Sequence, residues 1–257
     1  MWTLSVDDRI ATLTLNRAEQ KNSITPQVLA ELRVMSQKIR DDRDIWAVIL
    51  RTQGSQFSVG VDVIAIKQLV ESEKEAFADG LRAMQACLDE FEALPQPTIA
   101  AMRGFCIGGG LLLALCCDFR IASRNARFSF PEVKRGIAVI MGTQRVTRTV
   151  GVARAKELIL TGDLIHADEA GQIGLVTRVV DVDKFDEEVE AFAAKFRDLP
   201  PRTISIANEI IEKGQHMTLR ESQDLEIALQ SSLLGSHDMR EGVVSFLEKR
   251  APKFTGE

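Results

Sequence analysis

The segment RGFCIGGGLLLALCCDFRIASRNARFSFPE, residues 103–132, is the most informative part of this chain. Within it a glycine triplet, Gly108–Gly110, follows the strand-like TIAAM (98–102) and opens the apolar helical run LLLALCC (111–117). The pattern places unpaired backbone N–H groups at a helix N-terminus, where they can point at a developing negative charge. Three glycines at such a junction indicate a close backbone approach to a ligand, with tight helix packing as the alternative.

A lone glutamate, Glu132, ends this segment among apolar and aromatic residues. Backbone N–H groups that stabilise an anion, together with one carboxylate, are the minimum needed to move a proton at a carbon next to a carbonyl group. The glycines do not form a dinucleotide fingerprint, because GFCIGGG lacks the G-x-G-x-x-G spacing, and the chain has no GK[ST] phosphate loop. A second loop, FSVGVD (57–62), contains Gly60, which can expose the N–H groups after it; a plain turn before a helix is the alternative.

Composition excludes several classes of protein. The chain has 257 residues, 45% of them hydrophobic and 27% charged, as in soluble globular proteins. Its net charge of −5 argues against nucleic-acid binding, and no apolar run is long enough to cross a membrane. The N-terminus, MWTLSVDDR, lacks a secretory signal, so we predict a cytoplasmic protein.

The four cysteines have no metal-ligand spacing and are interpreted as core residues. The three histidines are scattered in polar segments, so we expect no metal site.

Hydrophobic periodicity predicts an α/β protein. A helix over 25–40 has Thr25 as its N-cap and Pro26 at its first position. The other predicted helices are 64–71, 75–93, 108–117, 143–160, 167–172, 183–197, 200–213, 218–234 and 238–249. The predicted strands are 3–6, 11–15, 46–50, 98–102, 119–123, 127–130 and 176–180. Strand-strand-helix units recur in the first two thirds, which predicts a core over 1–195 and a helical region over 196–257.

Taken together, the motifs resemble the crotonase (enoyl-CoA hydratase/isomerase) superfamily over nearly the whole chain. The matching stretches are LNRAEQKNSI (15–24), FSVGVD (57–62), RGFCIGGG (103–110), LCCDFRIA (115–122), FSFPEVKRGI (128–137), GTQRVTRTVG (142–151), LTGDLIHADEAGQIGLV (160–176) and MREGVVSFLEKRAPKF (239–254). The resemblance implies a spiral of ββα units followed by a C-terminal helical trimerisation region. It also implies a homotrimer or a dimer of trimers, and an acyl-CoA thioester as substrate without a further cofactor.

The resemblance also assigns site residues. The backbone N–H groups of Val61 and Gly109 would form the oxyanion hole for the thioester oxygen, with Glu132 as the catalytic acid and base. Asp62 is interpreted as a local structural acceptor. The remaining residues that the resemblance places along the CoA thioester are Lys21, Ser23, Val59, Gly60, Leu112, Phe246 and Lys249, with Phe246 and Lys249 often reaching a neighbouring subunit.

One departure from the hydratase pattern bears on the reaction. Hydratases of this superfamily carry a glutamate two residues after the glycine triplet, where this chain has Leu112. Leucine cannot orient a water molecule, whereas moving a double bond from the 3 to the 2 position needs only one base. Monofunctional 3,2-enoyl-CoA isomerases of this superfamily resemble this chain, because they also keep the second glutamate and have an aliphatic residue at the first position. An apolar wall is also expected to raise the pKa of Glu132.

We therefore predict double-bond isomerisation with Glu132 as the single acid/base. Enoyl-CoA hydration is the alternative, and decarboxylation and thioester hydrolysis remain open. A different class is a crotonase-fold protein that binds acyl-CoA without turnover. Retention of Glu132 and of both oxyanion-hole segments favours the enzyme.

Overall fold

The computed structural model describes residues 1–257 except for the side chain of Leu69. The strands are β1 Trp2–Asp7, β2 Ile10–Leu15, β3 Ala47–Thr52, β4 Thr98–Met102, β5 Phe105–Ile107, β6 Phe119–Ser123, β7 Arg127–Ser129, β8 Ile165–His166 and β9 Arg178–Val180. The α-helices are α1 Pro26–Asp41, α2 Val63–Val70, α3 Lys74–Glu92, α4 Gly109–Leu115, α5 Thr143–Thr161, α6 Ala167–Gln172, α7 Phe185–Ala193, α8 Pro201–Gly214, α9 Leu219–Ser231 and α10 His237–Glu248.

The chain alternates between two sheets. The larger one has the order β1-β2-β3-β4-β6-β9, parallel except for the β1/β2 hairpin. The smaller one has the order β5-β7-β8. β4 and β6 of the large sheet are each followed by a strand of the small sheet, and after β3 an isolated bridge pairs Ser58 with Cys106 of β5. This arrangement confirms the predicted crotonase-like spiral of ββα units.

The large sheet is covered on both faces. One face packs into the main core with α1, α3, α4 and the smaller sheet, through side chains such as Val48, Leu50 and Ala100. The alternate residues of the same strands face a second core closed by Phe185 and Val189 of α7. Burial on both faces explains why these parallel strands are nearly continuous apolar runs in the sequence.

Most predicted elements are confirmed, and the differences have local causes. Thr25 caps α1 by accepting a hydrogen bond from the Val28 N–H at 3.2 Å. The predicted helix 108–117 begins one residue later, because Gly108 adopts a φ of +49°, and it ends at Leu115. Residues 143–160 are kinked at Gly151, whose φ is +78°. β5 and β8 were not predicted, because strands of three and two residues are too short to show a period.

The cysteines and histidines lie where the sequence predicts. All four cysteines are free and buried, and the three histidines are exposed. Among the residues that the structure describes, no helix combines the length and apolarity needed to traverse a membrane. No group of three or more His, Cys, Asp or Glu side chains within the same described residues is arranged to hold a metal ion.

Part-buried polar contacts attach α8 to the core and the last residues of the chain to α10. Asn208 of α8 donates to the Asp118 carboxylate at 2.8 Å, just beyond the end of α4. At the start of α10 the buried Asp238 carboxylate accepts the backbone N–H groups of Thr255 and Gly256, each at 2.8 Å. The last residues of the chain therefore fold back over the N-terminus of α10.

Candidate active site

Two loops distant in sequence run side by side at the site. Residues 21–24 and 59–62 are joined by backbone hydrogen bonds from Ile24 N to Gly60 O (2.8 Å), Asp62 N to Ile24 O (2.8 Å) and Val59 N to Lys21 O (3.2 Å). These bonds bring six of the predicted site residues together: Lys21, Ser23, Val59, Gly60, Val61 and Asp62. The first loop turns sharply, because Lys21 and Asn22 have φ values of +50° and +55°.

The first predicted oxyanion-hole donor, the Val61 N–H, is oriented by its own peptide plane. The Gly60 carbonyl oxygen is held by Ile24 N, and the Val61 N–H belongs to the same peptide. Because a trans peptide is planar, its N–H points away from its C=O. Among the described residues the Val61 N–H has no acceptor, so it is available to a ligand.

The second donor is held in the same way. The Gly108 carbonyl oxygen accepts the N–H of Leu112 at 2.9 Å, which orients the N–H of Gly109 at the start of α4. This N–H also lacks an acceptor within the described residues. A Cβ on Gly109 would lie 3.4 Å from the Val61 nitrogen, so the two donor peptides are immediate neighbours.

Glu132 lies directly beside this pair. It belongs to a short 3₁₀ helix, Pro131–Arg135, and a Cβ on Gly108 would be only 2.3 Å from its Oε1 atom. Its Oε2 atom is buried and has no hydrogen-bond partner among the described residues. Burial raises the pKa of this carboxyl above its ordinary value of 4.5. A desolvated carboxylate with a free oxygen is suited to take up and return a proton.

The surroundings include an apolar wall. Leu112 is buried, with 8% of its surface exposed. A Cβ on Gly142 would lie 3.2 to 3.7 Å from the side chains of Val139, Phe130 and Leu112, so these three gather at the start of α5. The position where hydratases carry a second acid is therefore part of a hydrocarbon surface here.

Asp62 is engaged in local hydrogen bonds. Its carboxylate accepts the Ile64 N–H at 2.9 Å and the Ser23 hydroxyl at 3.1 Å. The hydrogen bond from the Ile64 backbone is the largest cause that lowers the pKa of this group. Asp62 thus ties the start of α2 to the first loop, while the exposed Lys21 side chain forms no ion pair with any described residue.

Phe246 and Lys249 lie at the end of α10, apart from the loops that carry the other site residues. Phe246 is 82% exposed, and Lys249 ends the helix with a φ of +54°. Neither side chain has a hydrogen bond or ion pair to the site within the described part of this chain. A role in binding therefore depends on a neighbouring copy or on the ligand.

The roles of two residues that organise the site were not predicted from the sequence. Gly108 leaves room for Glu132, whereas the sequence assigned the whole triplet to backbone approach. The Asn22 side chain donates to Gln53 O and Gln56 O, both at 2.8 Å, and so joins the first loop to the segment that leads into the second. An asparagine in a loop is a signal for left-handed backbone, but its distant partners are visible only in the fold.

The fold, the two neighbouring N–H groups without acceptors and the half-buried Glu132 carboxyl group point to one class of enzyme. The family model for enoyl-CoA hydratase/isomerase matches residues 6–257, and the chain belongs to that family. It is 34% identical to a crotonyl-CoA hydratase from Syntrophomonas wolfei, over 98% of this chain and 96% of that protein. It is 38% identical to an enoyl-CoA isomerase/hydratase from Mycosarcoma maydis, over 95% of this chain and 92% of that protein.

Solved structures agree with this assignment. The enoyl-CoA hydratase from Bacillus anthracis superposes with a TM-score of 0.93 at 34% sequence identity, covering 100% of this chain and 99% of that one. The chain is therefore an enzyme of acyl-CoA metabolism with the crotonase fold, as the motifs predict.

Proposed function

We propose that this enzyme shifts the double bond of a 3-enoyl-CoA thioester to the 2 position, with Glu132 as its single acid/base. The observation that carries the proposal is the buried Leu112 in a site whose only nearby acid with a free, buried oxygen, among the described residues, is Glu132. Isomerisation moves one proton and needs no activated water, so one carboxyl group is sufficient.

In this mechanism the Glu132 carboxylate removes a proton from C2 of the substrate. The electrons move onto the thioester oxygen, and the enolate formed accepts hydrogen bonds from the N–H groups of Val61 and Gly109. The protonated Glu132 then returns the proton to C4 as the enolate collapses to the 2-enoyl thioester. Loss of one such donor typically costs about 3–4 kcal/mol of transition-state stabilisation. The reaction written in this way requires no cofactor beyond the CoA thioester.

Hydration of a 2-enoyl-CoA is the second candidate, and the names of the relatives favour it. The Syntrophomonas wolfei protein is called a hydratase, and the Mycosarcoma maydis protein is named for both reactions. A hydratase would have to orient its water without a carboxylate at position 112.

Separate assays with 3-hexenoyl-CoA and crotonyl-CoA test the choice. We expect 2-hexenoyl-CoA to form from the first much faster than water adds to the second. Leu112→Glu is expected to reduce isomerisation and to raise hydration, because it supplies a second carboxylate; Leu160→Glu, at a 66% exposed position, is the matched control. Fast hydration of crotonyl-CoA by the unmodified enzyme, without isomerisation of 3-hexenoyl-CoA, would reverse the ranking. Binding of both thioesters without turnover would indicate the non-catalytic alternative.

We also propose that the enzyme assembles as a homotrimer or a dimer of trimers. The C-terminal region exposes large apolar side chains, among them Leu234 (81%) in the turn before α10 and Phe246 (82%) and Leu247 (74%) on α10, which isolated soluble chains rarely present together. Sedimentation equilibrium should give three or six times the chain mass of 28.5 kDa, and Leu247→Asp should lower it. A monomeric mass at micromolar concentration would contradict the assembly, together with the placement of Phe246 and Lys249 at a neighbour's CoA.

A further inference from the structure

Ser58 is a buried hydroxyl in the loop that carries the Val61 donor. It is 1% exposed. Its Oγ donates to the Asn22 carbonyl oxygen at 2.7 Å and accepts the Gly60 N–H at 3.1 Å. The hydroxyl therefore both donates and accepts, and the hydrogen bond that it accepts comes from Gly60, the residue directly before Val61.

The main chain of Ser58 connects to the other half of the oxyanion hole. Ser58 N donates to Phe105 O at 2.8 Å, and Ile107 N donates to Ser58 O at 3.0 Å. β5 then leads within two residues to Gly109, which carries the second donor. Ser58 is thus hydrogen-bonded to both of the segments that hold the two N–H groups.

The Ser58 side chain also supports the first turn of α4. A Cβ on Gly110 would lie 2.4 Å from the Ser58 Cβ and 2.6 Å from its Oγ. The serine therefore occupies the space that a side chain at position 110 would need. This contact explains why the third residue of the triplet is glycine.

The Gly60–Val61 peptide needs such support because Gly60 is conformationally permissive. Glycine adopts its φ of +98° without steric cost, but other φ values are equally accessible to it. Ile24 N holds the carbonyl of this peptide, and Ser58 Oγ holds the preceding N–H. Without the hydroxyl, one of the two restraints on rotation about Gly60 is lost.

We propose that Ser58 is a positioning residue that aims the Val61 N–H at the thioester oxygen and keeps it in register with the Gly109 N–H. The proposal rests on the proposed function to the extent that the site polarises a thioester carbonyl, whichever reaction follows. Ser58 itself acts through Gly60 and touches neither the substrate nor the reacting atoms.

The test compares Ser58→Ala with Ser36→Ala. Ser36 is an equally buried serine in α1, and its hydroxyl donates to the Leu32 carbonyl at 2.9 Å, remote from the site loops. Two quantities are measured: kcat and KM for the preferred thioester, and the absorption shift of 2,4-hexadienoyl-CoA on binding. The conjugated thioester absorbs at longer wavelength when its carbonyl is polarised, so the shift reports the oxyanion hole without requiring turnover.

For Ser58→Ala we expect kcat to fall about 10- to 100-fold with little change in KM, because losing a whole donor costs about 100- to 1,000-fold. The absorption shift should shrink in parallel, and Ser36→Ala should leave both quantities unchanged. Ser58→Cys, which keeps a weak donor in the same place, should be intermediate; it serves alone if the alanine variant does not fold. An unchanged shift and kcat in a folded Ser58 variant overturn the proposal. The absence of any shift with the unmodified enzyme would instead contradict the acyl-CoA site itself.

Discussion

Glu132→Gln is expected to lower turnover of the preferred enoyl-CoA by about 100- to 10,000-fold, the usual contribution of a positioned general acid/base. Glutamine keeps the shape of the side chain but cannot accept the C2 proton. Steady-state kinetics with saturating thioester measures the effect. Glu187→Gln, an exposed glutamate of α7, is the matched control and should retain full activity. Near-normal turnover of Glu132→Gln would exclude Glu132 as the base.

The same variant makes a prediction about stability that separates catalysis from folding. Burial raises the pKa of Glu132 above 4.5 in the folded state, so the folded protein holds this proton more tightly than the unfolded chain does. The contribution of Glu132 to folding stability therefore falls as pH rises from 4.5 through the raised pKa. Glutamine has no proton to lose, so Glu132→Gln should be more stable than the parent at neutral pH. Urea unfolding should show that advantage disappear below pH 4.5.

Gly108→Ala is expected to reduce kcat by about 100-fold or more, because misplacing a reacting group by roughly 1 Å has that effect. The new Cβ would lie 2.3 Å from Oε1 of Glu132 and 3.2 Å from its carboxyl carbon, so the acid must move away from the donors. The measurements are kcat of the folded variant and, separately, its binding of 2,4-hexadienoyl-CoA. A lower kcat with unchanged binding assigns the loss to proton transfer.

Backbone strain alone must be separated from this displacement. Gly174→Ala provides the control, since Gly174 has a φ of +77° and nothing within 4 Å of the position its Cβ would take. Both variants place an alanine at a positive φ, and Gly108, whose ψ of −120° lies outside the left-handed helical region, incurs the larger backbone cost. Only Gly108→Ala should lose turnover. Equal kcat values in the two variants would show that glycine at position 108 is needed only for its backbone conformation and that alanine there does not displace Glu132.

Much of the architecture could be predicted because it depends on local pattern. Thr25 and Pro26 define the start of α1, and the apolar runs of β3 and β4 indicate strands buried on both faces. Other features have no local signature. β5 is three residues long, and Phe105 at its start is 44% exposed, so neither length nor alternation marks it as a strand. It exists because Ser58 on one side and β7 on the other complete its hydrogen bonds.

The amino-acid sequence by itself determined the family and the absence of a carboxylate at position 112, and it predicted Glu132 as the acid, because these depend on which residue types stand in which order. The tertiary structure alone decided how these residues are oriented and buried. The directions of the Val61 and Gly109 N–H groups follow from carbonyls held by Ile24 and Leu112. The free oxygen of Glu132 follows from burial beside Gly108. Orientation and desolvation arise from contacts between segments far apart in the chain, which no local pattern encodes.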